Sequence, residues 1–214
     1  MTRRAVGRLG GWAVRTAGVL CLLTAEPLNR LTAQDTIPPG YGSLRRDDIV
    51  ASFSTGTVAI QVLPLDEQVI RLLAPDTYRS LQQLVQSRAD DIAEAAQLAN
   101  TENPVLVMVT FLGVVPAARF NPEDLNITSR GRLFRPIGIV PLSPTWGSNQ
   151  LDARQQAVAI YLFERGISFR EQMTISYQGL SSDVWTRSLR LLNEERARVK
   201  ARAQTDAGTA ARGP

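Results

Sequence analysis

The stretch VLVMVTFLGVV, residues 105–115, is apolar at almost every position. Successive side chains of a strand point to opposite faces of a sheet, so a run of this kind carries apolar side chains on both faces. Such a strand has to be covered on both sides, which predicts a central position in a buried sheet. Residues 157–163, AVAIYLF, have the same character and predict a second buried strand.

Five further runs complete a set of seven expected strands: residues 57–63, 69–73, 125–128, 133–140 and 173–177. The last of them alternates cleanly between apolar and polar side chains. Residues 129–131, SRG, predict a turn between two of the runs. Pro136 and Pro141 lack the N–H group that a strand ladder needs, so residues 133–140 are expected at a sheet edge.

Two helices are expected. Between residues 76 and 100 the apolar positions follow a helical period, and Asp76 stands where an N-cap is expected. The apolar stripe of this helix consists of Tyr78, Leu81, Val85, Ile92, Ala95 and Ala99. The second helix spans residues 180–203, with Trp185 at the start of its apolar stripe. Residues 204–214, rich in Ala, Gly and Thr, predict a disordered tail.

Strands that follow one another through turns, mostly without helices between them, favour a mainly β fold. We expect an antiparallel Ig-like β-sandwich over residues 49–179, with a long helical insertion at residues 76–100 and a C-terminal helix. The helix between the second and third strands leaves an alternative, an α+β fold with a β-α-β crossover. Residues 34–48 contain the sequence PPG and predict an extended linker before the domain.

Residues 1–33 predict a signal peptide. They hold five arginines, one acid (Glu26) and the apolar run AGVLCLLTA, residues 17–25, which is too short to span a bilayer. Cleavage after Ala33 gives a mature chain that starts at Gln34, is periplasmic or secreted, and has no transmembrane span. The alternative is a leader that is not cleaved and tethers the domain to the membrane. The rest of the chain carries 19 basic and 19 acidic residues, so the net charge of +4 lies in the leader and does not indicate nucleic-acid binding.

The composition excludes most catalytic chemistries. The sequence has no His, and its single Cys, Cys21, lies in the leader, so the residues for a Ser-His-Asp triad, a Cys-His pair or an ordinary zinc site are missing. No calcium loop or glycine-rich phosphate loop occurs, and we expect no metal and no cofactor. Catalysis by carboxylates remains, and the carboxylates near strand ends or in loops are Glu123, Asp124, Asp152 and Glu164. Each of them is equally suited to a turn.

The loop of residues 141–154, PLSPTWGSNQLDAR, places Trp146 among polar residues between two apolar strands. An aromatic ring in a polar loop is a common binding surface, and Asn149, Gln150 and Arg154 supply hydrogen-bonding groups beside it. Trp146, Asn149 and Arg154 are therefore the candidate binding residues. In the alternative, Trp146 folds back as a lid over one end of the core.

These observations favour a non-catalytic binding or scaffold module that is exported to a bacterial cell envelope. Its partner is expected to be another envelope protein or a polysaccharide, and no catalytic residue is assigned. The alternative is a carboxylate-dependent hydrolase of the glycosidase type, which needs two carboxylates that flank the bond to be cleaved. The two hypotheses differ in whether a pair of carboxylates lines a cleft.

Overall fold

A computed structural model of the chain describes residues 37–210, with side chains up to residue 206. The expected signal peptide of residues 1–33 and the last four residues of the expected tail lie outside the described residues. The strands are, in chain order, β1 (Ala51–Ser54), β2 (Val58–Pro64), β3 (Val105–Gly113), β4 (Ala118–Arg119), β5 (Leu125–Ser129), β6 (Arg132–Phe134), β7 (Pro136–Pro141), β8 (Gln150–Leu151), β9 (Gln156–Phe163), β10 (Met173–Tyr177) and β11 (Leu180–Ser182). The helices are α1 (Arg46–Ile49), α2 (Glu67–Ile70), α3 (Pro75–Ser87), α4 (Ala89–Leu98) and α5 (Trp185–Ala210), and two 3-10 turns span Pro122–Asp124 and Pro144–Ser148.

Five strands form one antiparallel sheet in the order β1-β2-β3-β9-β7. The two strands expected to be buried, β3 and β9, lie side by side within it, with Met108 opposite Ile160. The expected edge position of the proline-containing run is confirmed, because β7 is the last strand of this sheet. Strands β2 and β3 pair antiparallel, so the helices between them do not form the parallel crossover of the alternative fold.

A second antiparallel sheet has the order β11-β10-β5-β6, and the short strands β4 and β8 pair with each other. The two larger sheets share one apolar core. The ring of Phe111 on β3 lies 5.6 Å from the ring of Tyr177 on β10, measured between centroids. The mainly antiparallel β architecture with a C-terminal helix is confirmed, although helices cover about as much of the described chain as strands do.

The chain changes sheet between β6 and β7. The run of residues 133–140, expected to be one strand, is divided at Arg135, so β6 belongs to one sheet and β7 to the other. The expected turn before β6 is present, with left-handed φ angles of 53° at Arg130 and 74° at Gly131. Two consecutive residues with positive φ make the tight hairpin turn whose twist matches that of the strands it joins.

The expected helix of residues 76–100 is two helices, α3 and α4, which meet at Arg88. Helix α4 lies on β7, where a side chain at Gly138 would contact the Cβ of Ala95 at 3.4 Å. The prediction of a strand at residues 69–73 is wrong, because helix α2 begins at Glu67 and includes the first residues of that range. Asp66 is the N-cap of that helix, and its side chain accepts a hydrogen bond of 2.9 Å from the N–H of Gln68.

Residues 37–45, here called the N-terminal segment, belong to the region expected to be a linker. The structure places this segment against α5 and the end of α2, with the side chain of Ile37 almost fully buried. The N–H and hydroxyl groups of Ser43 donate hydrogen bonds of 2.9 and 2.7 Å to Glu195, a fully buried side chain of α5. Arg202 donates a further bond of 2.7 Å to the carbonyl oxygen of Tyr41. The C-terminal helix therefore holds the N-terminal segment in place.

Candidate functional site

Trp146 lies in the 3-10 turn of residues Pro144–Ser148, and its ring is buried, with 8% of the residue exposed. Its ring centroid is 5.5 Å from that of Phe120, 5.9 Å from that of Phe111 and 6.0 Å from that of Tyr161. Tilted and edge-on contacts of this kind stabilise aromatic cores. The ring closes one end of the core and does not present an open face.

Asn149 and Arg154, the other two candidate binding residues, are exposed. Both have left-handed backbone conformations, with φ angles of 50° and 69°. The N–H of Arg154 donates a hydrogen bond of 2.8 Å to the carbonyl oxygen of Gly113, and the carbonyl oxygen of Asn149 accepts one of 3.1 Å from Phe120. Asn149, Arg154 and Trp146 do not line the cleft described below.

A cleft of about 640 Å³ lies where the chain passes from one sheet to the other. One wall is the segment of residues 121–126, which leads into β5, and the other is Arg135 with the first part of β7. The lining residues are Asn121, Glu123, Asp124, Asn126, Arg135, Pro136, Ile137, Gly138 and Ile139. We call this site the inter-sheet cleft.

Amide side chains hold the first wall together. The two carboxylate oxygens of Asp124 accept hydrogen bonds from Asn121 Nδ2 at 2.8 Å and from Gln178 Nε2 at 3.0 Å. The Nδ2 group of Asn126 donates to the carbonyl oxygen of Asp124 at 3.0 Å, which fixes the orientation of that amide. Its Oδ1 atom is buried and has no hydrogen-bond partner among the described residues. A buried acceptor without a donor lowers the stability of the fold.

Two tyrosine hydroxyl groups attach the same wall to the core. Tyr161 on β9 donates a hydrogen bond of 2.8 Å to the carbonyl oxygen of Pro122, and the hydroxyl of Tyr177 on β10 accepts one of 2.9 Å from the N–H of Asn121. Burial raises the pKa of Tyr161 and of Tyr177, because a buried phenolate loses its hydration. The two hydrogen bonds fix the position of this wall relative to the core.

The second wall is the open edge of β7, which pairs with β9 and with no other strand among the described residues. The N–H of Leu142 donates to the carbonyl oxygen of Val158 at 2.8 Å, one position beyond the last paired residue of β7. In antiparallel pairing, residues whose N–H and C=O groups face the partner strand alternate with residues whose groups face away. Counting back from Leu142, Val140 and Gly138 face β9 and Ile139 faces away from it.

The four carboxylates singled out in the sequence are not arranged as a catalytic pair. Glu164 forms an ion pair with Arg132, and Asp152 accepts a hydrogen bond of 3.4 Å from the N–H of Ala117. Only Glu123 and Asp124 line the inter-sheet cleft, and as consecutive residues they belong to the same wall. The wall across from them contributes a guanidinium group and strand backbone, so no two carboxylates flank the cleft.

The described part of the chain has no group of three or more His, Cys, Asp or Glu residues placed to hold a metal ion. None of the helices within residues 37–210 is long and apolar enough to cross a membrane. Asn126 and Arg135 are not among the site residues predicted from the sequence. The sequence signals that point to this cleft are the carboxylates Glu123 and Asp124 and the pair of prolines that indicates a sheet edge at β7.

The inter-sheet cleft thus offers side-chain amides, one guanidinium group, two carboxylates and an open strand edge, an arrangement suited to hydrogen-bonded recognition. Comparisons of the chain with protein-family models, with curated protein sequences and with solved structures found no significant match.

Proposed function

We propose that the chain is a non-catalytic binding module, exported to a bacterial cell envelope, and that its binding site is the inter-sheet cleft. The observation that carries the proposal is a cleft of about 640 Å³ that side-chain amides, a guanidinium group and two carboxylates line beside an open strand edge. The partner belongs to one of two classes, an envelope protein or a polysaccharide.

Export is part of the proposal and rests on the sequence of residues 1–33. The arginine-rich start and the short apolar run are typical of a secretory signal, which leaves a periplasmic or secreted chain that begins at Gln34. A chain tethered by an uncleaved leader is the alternative. Downstream of the leader there is no Cys, so stability in an oxidising compartment rests on the packed core. We also propose that the two larger sheets form an Ig-like sandwich, which their shared core supports.

The geometry favours binding over hydrolysis. A glycosidase places two carboxyl groups on opposite sides of the bond that it cleaves. In the inter-sheet cleft both carboxylates belong to one wall, and the oxygens of Asp124 already accept hydrogen bonds from Asn121 and Gln178. The Trp146 loop is not the proposed site. A stacking surface has to be open, and the ring of Trp146 is packed among three other rings.

The test compares two double variants of the chain that begins at Gln34, each used to capture partners from a cell-envelope extract. Asn126→Ala with Arg135→Glu changes both walls of the inter-sheet cleft. Asn149→Gly with Arg154→Glu changes the exposed Trp146 loop by a similar amount and serves as the control. We expect the cleft variant to lose a partner that both the wild type and the control retain, with all three proteins folded by thermal melting.

Loss of the partner in the loop variant alone would place the site on the Trp146 loop and contradict the proposal. Hydrolysis of an envelope polysaccharide by the purified chain, abolished by Glu123→Gln, would show that the module is an enzyme. Recovery of the intact precursor from the source envelope, still starting at Met1, would contradict cleavage of the leader.

A further inference from the structure

We propose that the occupant of the inter-sheet cleft is an extended peptide segment of a partner protein, bound as an additional strand beside β7. This inference rests on the proposed function and specifies the chemistry of the partner. Recognition through an added strand uses main-chain hydrogen bonds for affinity and nearby side chains for selection. Both kinds of group are present in the cleft.

The open edge of β7 supplies the main-chain groups. Ile139 faces away from β9, so its N–H and C=O groups are free to pair with one residue of an added strand. Pro136 and Pro141 stand at the two ends of β7 and carry no N–H group. Prolines on an edge strand prevent extended pairing with other chains. They limit an added strand to the short stretch between them, which favours a short, specific segment.

The opposite wall leaves space for a strand on the far side of the same gap. Strand β6 pairs with β5 only from Ile127 to Ser129, because the chain leaves the sheet at Arg135. Among the described residues Asn126 therefore has no strand neighbour on that side, and it lines the cleft. A peptide strand has outward N–H groups on both of its edges. One edge of the bound segment can pair with Ile139 while its other edge faces the wall that contains Asn126.

The side chains of the cleft favour a peptide over a polysaccharide. Sugar hydroxyl groups can also donate hydrogen bonds, but aromatic rings are the side chains that offer stacking faces, and none of the nine lining residues is aromatic. Ile137 and Ile139 are half-buried and give the cleft a partly apolar floor, which suits the side chains of a strand. Recognition of a peptide strand uses both the open edge of β7 and this partly apolar floor.

The probe is a library of acetylated, amidated hexapeptides composed of Val, Ile, Thr, Tyr, Lys and Glu, screened by fluorescence polarisation against the chain that begins at Gln34. The tightest peptide is then resynthesised with a single N-methyl group at each backbone nitrogen in turn. We expect methylation at alternate positions to weaken binding about tenfold, the cost of one lost hydrogen bond plus the clash of the methyl group. Methylation at the positions between them should change binding little.

Two measurements on the protein locate the peptide. Hydrogen exchange of the Ile139 amide should slow by at least about tenfold when the peptide binds, since a new hydrogen bond protects it. Asn126→Ala should weaken binding several-fold, whereas Asn149→Gly should leave it unchanged. Because the N-methyl series changes only the peptide, it remains decisive even where a variant fails to fold.

A second arm of the experiment uses oligosaccharides of N-acetylglucosamine in place of the peptides. Oligosaccharide binding that Asn126→Ala abolishes, with no peptide bound, would overturn the added strand and leave the cleft as the binding site. Peptide binding that tolerates N-methylation everywhere, or that protects no amide of β7, would overturn the added strand as well. If neither library binds and partner capture does not depend on the cleft, the proposed function fails together with the inference.

Discussion

The hydroxyl group of Tyr161 donates a hydrogen bond of 2.8 Å to the carbonyl oxygen of Pro122, and this bond joins a central strand of the larger sheet to one wall of the inter-sheet cleft. Tyr161 is fully buried, so the bond is protected from competing water. The shape of the cleft thus depends on the same side chains that form the core.

The first prediction is that Tyr161→Phe lowers the free energy of unfolding by about 1 kcal/mol and weakens binding at the cleft. The substitution keeps the ring and leaves the carbonyl oxygen of Pro122 without its donor. Urea unfolding and peptide binding are the measurements. Tyr78→Phe is the control, because it removes a hydroxyl group that bonds to Glu67, away from the cleft. The control should cost some stability and leave binding unchanged; equal binding by both variants would contradict the prediction.

The second prediction concerns alkaline pH. Burial raises the pKa of Tyr161 and Tyr177 above that of an unfolded tyrosine, about 10. The folded state therefore favours the protonated hydroxyl groups, and the stability they contribute is complete below about pH 10 and declines as the pH rises beyond it. Urea unfolding between pH 8 and pH 11, followed with phenolate absorbance, measures this decline. Tyr161→Phe should make this decline in stability shallower. A wild-type stability that stays constant up to pH 11 would contradict the prediction.

The third prediction is that Trp146→Ala lowers the free energy of unfolding by about 3–5 kcal/mol, the usual cost of removing a large buried aromatic side chain. Three neighbouring rings lose their contacts with it. Asn149→Gly, in the same loop, keeps the left-handed backbone and should change stability by less than about 0.5 kcal/mol. Urea denaturation of both variants is the measurement. A loss near 0.5 kcal/mol for Trp146→Ala would mean that the ring is a surface group.

The fourth prediction is that Glu195→Ala lowers the free energy of unfolding by about 2–3 kcal/mol. The substitution leaves Ser43 without two hydrogen bonds and Arg202 without a contact of 3.2 Å. The neighbouring Glu194 is exposed and pairs with Arg190 at 3.0 Å, so Glu194→Ala is a matched control with an expected cost below about 1 kcal/mol. Limited proteolysis should also cut the N-terminal segment faster in Glu195→Ala alone. Equal stabilities of the two variants would refute this assignment.

The sequence predicts well those elements whose position is determined by residues within the element itself. Pro136 and Pro141 remove donors from their own strand, so the edge position of β7 follows from the strand itself. The run at residues 105–115 is apolar on both faces, and its part from Val105 to Gly113 forms a largely buried strand, whereas Val114 and Val115 are exposed. The expected strand at residues 69–73 fails for a local reason too, since the N-cap Asp66 starts a helix within the same few residues.

The inter-sheet cleft has a different origin. It forms because the chain leaves one sheet at Arg135 and joins the other, which separates Asn126 from the strand that would otherwise pair with it. No periodicity in the sequence reports that event, since both sides of Arg135 have strand-like residues. The burial of Trp146 likewise depends on Phe111 and Tyr161, which are distant in sequence. Contacts of this kind follow from the tertiary fold and are not encoded in a local pattern.

The contact between the N-terminal segment and helix α5 also sets an order of events during synthesis. Ser43 and Tyr41 receive their partners only when residues 195–202 have been made, more than 150 residues later. Until then the beginning of the chain lacks the groups that hold it, and the domain stays incomplete for most of its translation. Contacts this far apart in sequence also slow folding, because a long loop has to close before they are formed.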